Sequence, residues 1–236
     1  MLKKKYKNLL ISLRGKPAYS HPKVYENIEL IKDTNKLLSE LFDVVMKKDQ
    51  YYGINWLVGL ERYVEDHSGS IRTFNKHLSR GHIVQVELFG HFNKELTFVH
   101  PALVLYDNNS NHLLVAPIST SKYQDSDPLH IDVDTNDGIH HESGICLDAI
   151  RIVDKNRVLY QIEDSNRNKA KARPEVLDKV DLAIMEHFLP QTFKNINEVK
   201  ENLEQEIQKN AKLLIEIADL KSQLAKKETS NSSTNN

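Results

Sequence analysis

The spacing of apolar residues changes twice along the chain, and this constrains the fold more than any other feature. Between about residues 23 and 67, apolar side chains recur every three or four positions, which is the period of an amphipathic helix. From Ile83 the pattern becomes alternation and short continuous apolar runs, which are typical of strands. From Ile196 a heptad pattern follows. The sequence therefore predicts helices, then a sheet, then one long helix.

Five strand-like segments lie in the middle zone. IVQVEL alternates, whereas ALVLY and LLVAPI are apolar runs joined by the turn-forming DNNSNH, which indicates a hairpin. HIDVD alternates again, and GICLDAIRIV changes parity near Asp148, which we interpret as a bulge. A helix is expected over PEVLDKVDLAIMEHFL. These elements predict an α+β fold, a small antiparallel barrel or strongly bent sheet with flanking helices.

Composition limits the class of protein. A content of 39% hydrophobic residues is enough for a core, and a net charge of -1 gives no general attraction to polyanions or membranes. The single cysteine, Cys146, excludes a disulfide framework and a thiolate cluster within one chain. No apolar stretch approaches membrane-spanning length, so we expect a cytoplasmic protein without membrane contact.

Motifs for metals and nucleotides are missing from the sequence. Nine of the 11 histidines lie between His67 and His141, but there is no HExxH, and the adjacent His140 and His141 would point to opposite faces of a strand. There is no glycine-rich phosphate loop, and Cys146 has no catalytic motif around it, so we interpret it as a small buried residue. We therefore expect no metal and no cofactor.

The C-terminal helix has the pattern of a coiled coil. Seven of the nine a and d positions counted from Ile196 are apolar, and Asn210 occupies an a position. A polar Asn at that position fixes register in two-stranded parallel coiled coils. The alternative is a helix that packs its apolar stripe on its own chain. The tail after it, from residue 228 to 236, is of low complexity and is expected to be disordered.

The stretch TFVHPALVLY places His100 directly before Pro101 and a buried strand. Proline disfavours the helical conformation in the residue before it, so His100 should be extended. Its ring is either an edge-of-core side chain that bonds a backbone carbonyl or a functional group at the mouth of the strand.

Four motifs follow in an order that resembles the MazF/PemK family of toxins from bacterial toxin–antitoxin modules. They are Arg80-Gly81, His100-Pro101, Ser119-Thr120 and the run from Ile150 to Asp154. The resemblance covers about residues 80–188. It implies an SH3-like antiparallel barrel of the MazF/PemK/CcdB kind, a homodimer, a cognate antitoxin as partner, and metal-independent cleavage of single-stranded RNA.

The resemblance, together with the helical spacing before it and the heptads after it, sets the expected domains. Residues 1–78 would be an α-helical extension and residues 79–190 the barrel domain. Residues 191–227 would be a dimerising coiled-coil helix, and residues 228–236 the disordered tail.

The family's functional residues carry over one position at a time. His91 matches a histidine in the loop after the first strand, and Asp148 matches an aspartate that PemK-like members use catalytically. Ser119 and Thr120 match hydroxyl residues that contact the scissile phosphate. Two positions depart from the pattern, because His100 stands where the family has an arginine and Cys146 stands where PemK-like members have another.

The chemistry of RNA cleavage suggests a role for each group. A base must take the proton of the 2′-OH, an acid must protonate the departing 5′-oxygen, and donors must stabilise the phosphate. We assign Asp148 as base and His100 as acid and phosphate stabiliser, since histidine can exchange protons near neutral pH. Ser119 and Thr120 would bond phosphate oxygens, and His91 would position the RNA or share the acid role.

The charge of the middle zone favours an alternative. Between Arg80 and Asp164, six Lys or Arg face 13 Asp or Glu, a formal charge of -7, although phosphate contacts usually supply much of the affinity for RNA. RNA would then need a local patch, for which we expect Arg80, Arg151 and Lys122. The alternative is a non-catalytic module of the same fold that binds a protein, such as an antitoxin-like segment or gyrase.

Overall fold

The structure is a computed structural model that describes residues 2–69, 74, 76–90, 95–107, 111–164 and 166–232, with side chains up to residue 223. The chain forms two compact units, Met1–Ser70 and Ile71–Asn236. None of the described helices is long and apolar enough to cross a membrane.

The first unit is helical, as predicted. It contains α1 (Leu2–Lys5), α2 (Lys7–Arg14), α3 (Ile28–Val45) and α4 (Gln50–His67). The two long helices begin at side-chain caps, because Asn27 accepts a hydrogen bond from the backbone N–H of Leu30 and Asp49 accepts one from that of Tyr52. Gly59 is the only buried residue among those described in this unit. The apolar faces of these helices are therefore largely uncovered within the unit itself.

The second unit is built on seven strands. They are β1 (Ile83–Glu87), β2 (Val99–Asp107), β3 (His112–Ser119), β4 (His130–Val133), β5 (Ser143–Cys146), β6 (Arg151–Asp154) and β7 (Val158–Gln161). All of the pairings between these strands are antiparallel, and the hairpin of β2 and β3 predicted from the sequence is confirmed. The mixture of helices with an antiparallel sheet agrees with the predicted α+β class.

The sheet is open, which corrects the expectation of a closed barrel. The strands follow the order β4-β5-β3-β2-β1-β7, and the ladders of the described residues do not join β4 to β7. Strand β3 also branches, because its first half pairs with β6 and its last two residues pair with β5. Because of the branch, β3 pairs with both β5 and β6, and its end lies beside β5.

Apolar residues on both faces of the central strands are buried, which explains their continuous apolar runs. On one face Ile83, Leu103 and Ile118 pack with Val176 and Val180 of helix α5 (Pro174–Phe188). On the other face a second cluster is formed by Leu78, Val84, Val86, Leu88, Ala102, Val104, Leu113, Val115, Val153 and Val158. The core of the second unit therefore lies on both sides of β1 and β2.

A short 3-10 turn takes the place of the predicted bulge near Asp148. Strand β5 ends at Cys146, residues Leu147–Ala149 form the turn, and β6 starts at Arg151. GICLDAIRIV is thus two strands rather than one, and the turn resets the parity of its apolar residues. The turn also presents Asp148 at the surface.

Two helices complete the second unit. Helix α5 lies where the sequence predicted it, with Pro174 in its first turn. The backbone N–H and guanidinium of Arg173, directly before it, donate to the buried carboxylate of Asp137. Helix α6 (Pro190–Ser232) is 43 residues long, about 65 Å, and continues five residues into the tail that we expected to be disordered. Its pairing as a coiled coil and the four domain boundaries stay predictions.

Candidate functional site

Asp148 lies beside a buried histidine that sequence reasoning did not select. Its side chain is 50% exposed, and its Oδ1 is 3.3 Å from Nε2 of His130, whose own side chain is only 2% exposed. The other ring nitrogen of His130, Nδ1, lies 2.7 and 2.8 Å from the two carboxylate oxygens of Asp125. Lys122 in turn holds Asp125, with Nζ 3.4 Å from Oδ2. We call Lys122, Asp125, His130 and Asp148 the acidic relay.

The positions of these residues on β4, β5 and the following turn explain why their side chains meet. His130 begins β4 and lies directly opposite Cys146 of β5, so the two side chains project from the same face of the ladder. Asp148 follows two residues later on the 3-10 turn. Bonding to His130 lowers the pKa of Asp125 below its usual range. Asp125 is therefore a carboxylate at neutral pH, and its charge orients the imidazole.

Cys146 is buried beside the relay. Its side chain is 1% exposed, and burial raises the pKa of the thiol to about 11. A thiol with that pKa is protonated at neutral pH and is a poor nucleophile. This agrees with the expectation that Cys146 is a small buried residue.

The hydroxyl residues predicted to contact phosphate lie where β3 ends. Ser119 is the last residue of β3 and pairs with Gly144 of β5, and Thr120 to Lys122 form a 3-10 turn. A Cβ atom on Gly144 would lie 2.3 Å from the carbonyl oxygen of Lys122, so only glycine admits the turn at this point. The turn therefore connects the hydroxyl residues to the relay through Lys122.

His100 lies on the neighbouring strand β2, opposite Val86 of β1. Burial lowers the pKa of its imidazole, and the positive charge of Arg151 acts in the same direction. Backbone hydrogen bonds to Ile118 and Thr97 oppose this effect, as does the nearby charge of Glu87. The contact with Ile118 places the ring one residue from Ser119. Both interpretations of His100 therefore remain supported. The ring bonds the backbone, as an edge-of-core side chain would, and it also lies close to Ser119 of the predicted site.

A small cavity opens next to these residues. Its volume is about 170 Å³, and Pro101 and Thr120 lie in its wall. The remaining lining residues are Gln85, Ile118, Ile139, His140, His141, Ser143, Tyr160, Ile162 and Glu163. The volume is below the roughly 300–1,000 Å³ of pockets for drug-sized ligands, so the cavity suits only a small group.

The basic residues expected to bind RNA already have protein partners. Arg80 bonds Asp181 of α5 and the carbonyl of Leu105, which ties the segment before β1 to helix α5 and to β2. Arg151 donates to the carbonyls of Ala149 and Leu96, at 3.4 and 3.5 Å. Of the three, Lys122 is the one that lies in the relay. His91 lies outside the described residues.

The sequence contained one weak signal for what was missed. Asp125 lies in the acidic stretch before β4 and His130 is the first residue of β4, but their partnership depends on the chain folding back over five residues. The contact between His130 and Asp148 spans 18 residues. Sequence spacing alone does not predict such a contact.

Comparison with known proteins gives a family for this segment. The family model described as "PemK-like, MazF-like toxin of type II toxin-antitoxin system" matches residues 79–188. None of the curated proteins matches the chain.

Solved structures of similar proteins include two named MazF. The Mycobacterium tuberculosis toxin MazF-mt6 is 18% identical, with 45% of this chain and 95% of that one covered and a TM-score of 0.36. MazF from Deinococcus radiodurans is 21% identical, with 47% and 96% covered and a TM-score of 0.37. A mycobacterial endoribonuclease in complex with its cognate antitoxin is 14% identical, with 48% and 95% covered and a TM-score of 0.35.

The family match begins one residue before Arg80 and ends at the last residue of α5, so it contains every motif on which the resemblance was based. The resemblance to the MazF/PemK toxins of type II toxin–antitoxin systems is therefore confirmed for residues 79–188, a little under half of the chain.

Proposed function

We propose that this chain is the toxin of a type II toxin–antitoxin system and that it cleaves single-stranded RNA without a metal. The observation that carries the proposal is the position of Asp148 in the family-matched segment, half exposed on a turn and backed by the buried His130. A carboxylate held in this way is a suitable base. His130 fixes its position, and the exposed side of the carboxylate stays open to substrate.

The proposed reaction begins at the 2′-oxygen. Asp148 takes the proton of the 2′-OH, and the oxygen attacks the adjacent phosphorus. The bond to the 5′-oxygen breaks, and His100 supplies the proton that this oxygen needs. The products are a 2′,3′-cyclic phosphate and a 5′-OH end, so atoms and charge balance without a cofactor.

Phosphate contacts would come from the turn after β3. Ser119 and Thr120 offer hydroxyl donors, although Ser119 Oγ also lies 3.0 Å from Ser121 Oγ. Lys122 and Arg151 add positive charge nearby, and Arg80 and His91 remain candidates from the resemblance. One base of the RNA would enter the cavity beside Thr120.

The pKa of His100 sets the expected pH dependence. Since burial lowers it, the imidazole is mostly neutral at neutral pH in the free protein. An acid must be protonated to act, so kcat/KM should fall as pH rises through the lowered pKa of His100. A bound phosphate would favour the protonated ring by its opposite charge.

The homodimer and the antitoxin are part of the proposal. Helix α6 carries exposed apolar side chains at heptad positions, including Val199, Leu203, Ile217 and Leu220. A second copy of the helix would cover them. The cognate antitoxin would bind across the site, and the activity would be exercised in the cytoplasm.

RNA cleavage in excess EDTA tests the function. Labelled single-stranded RNA is incubated with wild type, His100→Gln and Asp148→Asn, and the ends of the products are analysed. We expect 5′-OH ends from wild type and a loss of about 10²- to 10⁴-fold in each variant, the usual contribution of a general acid or base.

Asp178→Asn is the matched control, because Asp178 is exposed on α5, away from the proposed residues. It should cleave like wild type. If wild type leaves RNA intact between pH 5.5 and 8, the enzyme is rejected in favour of the binding module.

A further inference from the structure

Three side chains that can bind a metal lie close together, and one of them is the proposed base, Asp148. Nε2 of His130, Sγ of Cys146 and a carboxylate oxygen of Asp148 all lie within 4.8 Å of one another. They come from β4, from the end of β5 and from the turn that follows, so the ladder and the turn bring them together. The spacing of histidines in the sequence predicted no metal site, because these ligands are scattered along the chain.

His130 is oriented as a metal ligand. Asp125 lies within hydrogen-bond distance of Nδ1 through both oxygens, so Nδ1 donates to Asp125 and Nε2 is the nitrogen left for a metal. Nε2 lies within 4.8 Å of the ligand atoms of Cys146 and Asp148. A carboxylate that bonds the outer nitrogen of a ligand histidine is a recurrent feature of zinc sites, where it fixes the tautomer and strengthens the ligand.

The charges around the ring also favour a cation. Nε2 of His130 lies 3.3 Å from a carboxylate oxygen of Asp148, within hydrogen-bond reach, so a cation bound here would take the place of a proton between the two. Asp125 and Asp148 lie at the two nitrogens of the imidazole, and Nζ of Lys122 lies 3.4 Å from Asp125. Two carboxylates against one lysine favour a cation beside the imidazole.

We propose that His130, Cys146 and Asp148 bind a divalent cation of the zinc type, with Asp125 as the outer partner of His130. One nitrogen, one sulfur and one oxygen ligand select Zn²⁺ or Co²⁺ over Mg²⁺ or Ca²⁺, which prefer oxygen alone. Because Asp148 is half exposed, solvent reaches the site from its side. Binding displaces the proton of the Cys146 thiol, which passes to solvent.

The fit requires only a small movement. Around tetrahedral zinc, with bonds of about 2.0–2.3 Å, ligand atoms lie about 3.3–3.8 Å apart. Nε2 of His130 and Oδ1 of Asp148 are already 3.3 Å apart, so only the distances to Sγ of Cys146, which are within 4.8 Å, need to shorten, by at most about 1.5 Å. Asp148 lies on an exposed turn and can follow this movement.

Binding would have a consequence for RNA cleavage, and this part rests on the proposed function. A cation that takes the carboxylate of Asp148 removes the base, so zinc should inhibit cleavage and EDTA should restore it. The metal site itself does not depend on that activity.

Titration of the full chain with Co²⁺ tests the site directly. Cys146 is the only cysteine, so a cobalt–thiolate charge-transfer band in the near ultraviolet reports on this residue alone. We expect that band together with the visible bands of tetrahedral Co²⁺, and displacement of both by Zn²⁺.

Variants assign the ligands. Cys146→Ser should lose the charge-transfer band, His130→Gln should lose both sets of bands, and Asp125→Asn should weaken binding about 10- to 100-fold. His187→Gln, an exposed histidine of α5, should titrate like wild type.

The outcomes separate the two proposals. If wild type shows no charge-transfer band, the metal site is wrong, whatever the RNA assay gives. If the band persists in His130→Gln, the ligand set is wrong. If the band appears as expected but RNA is never cleaved, the metal site stands and the nuclease is rejected.

Discussion

At the scale of single residues, burial changes the acid–base chemistry of His100. The resemblance places His100 where MazF/PemK toxins have an arginine, which is always charged, whereas burial leaves the His100 ring mostly neutral at neutral pH. A neutral imidazole donates one hydrogen bond, whereas an arginine can donate hydrogen bonds to two phosphate oxygens at once. The exchange therefore makes any activity that depends on this position sensitive to pH.

His100 should also make the stability of the fold depend on pH. Its pKa in the folded protein is lower than the usual value of 6.5, so between these two values the unfolded chain binds more protons. The free energy of unfolding should therefore rise with pH. The contribution of His100 is complete above pH 6.5 and is lost as pH falls through the lowered pKa.

Urea unfolding between pH 5 and 7.5 measures this effect. In His100→Gln the slope of the unfolding free energy against pH should be smaller than in wild type. Some slope should remain, because burial lowers the pKa of His82 too. A slope identical to that of wild type would show that His100 titrates alike in both states.

At the scale of elements, the turn between β5 and β6 matters most for the proposed site. The sequence located the irregularity near Asp148 correctly and its type wrongly, since a parity change is compatible with a bulge or with a turn. The 3-10 turn ends one ladder and starts another on the branched strand β3. The branch depends on pairing with β3, which lies outside the stretch GICLDAIRIV.

Helix α6 provides the prediction at this scale. If it forms a two-stranded coiled coil, Asn210 lies at an a position in the interface and restricts the oligomer to a dimer. Asn210→Val should change the oligomeric state, giving tighter and larger assemblies, because the polar residue that limits register is gone. Sedimentation equilibrium measures the change.

Gln208→Val is the matched control for the helix, because in the same heptad frame it lies on the outer side. It should keep the wild-type dimer. A chain that is monomeric at all concentrations, with or without Asn210, would contradict the coiled coil.

At the scale of the whole molecule, the two units differ in how they are stabilised. Both core clusters lie in the second unit, whereas among the described residues of the first only Gly59 is buried. Burial of apolar surface is the dominant favourable term in folding. The second unit therefore has its own core, and the first has little.

Removal of residues 2–70 should leave a protein that unfolds cooperatively. Its strand signal in circular dichroism should persist, and its thermal midpoint should lie close to that of the corresponding transition in the full chain. A peptide of residues 1–70 should by contrast show weak helicity, since short helices without packing are marginal in water. A truncated chain without a cooperative transition would show that the second unit needs the first.

The sequence alone determined the order of helix, sheet and helix, the β2–β3 hairpin and the resemblance of residues 79–188 to the MazF/PemK toxins. The order of elements and the hairpin depend on the spacing of neighbouring residues, which sets which face of an element is apolar. The tertiary structure decided that the sheet is open and that β3 branches. It also decided that His130 and Cys146 lie beside Asp148 and that Asp125 bonds the other nitrogen of His130. Pairing across 18 residues created that cluster, and pairing partners are chosen by the packing of the whole core rather than by local sequence.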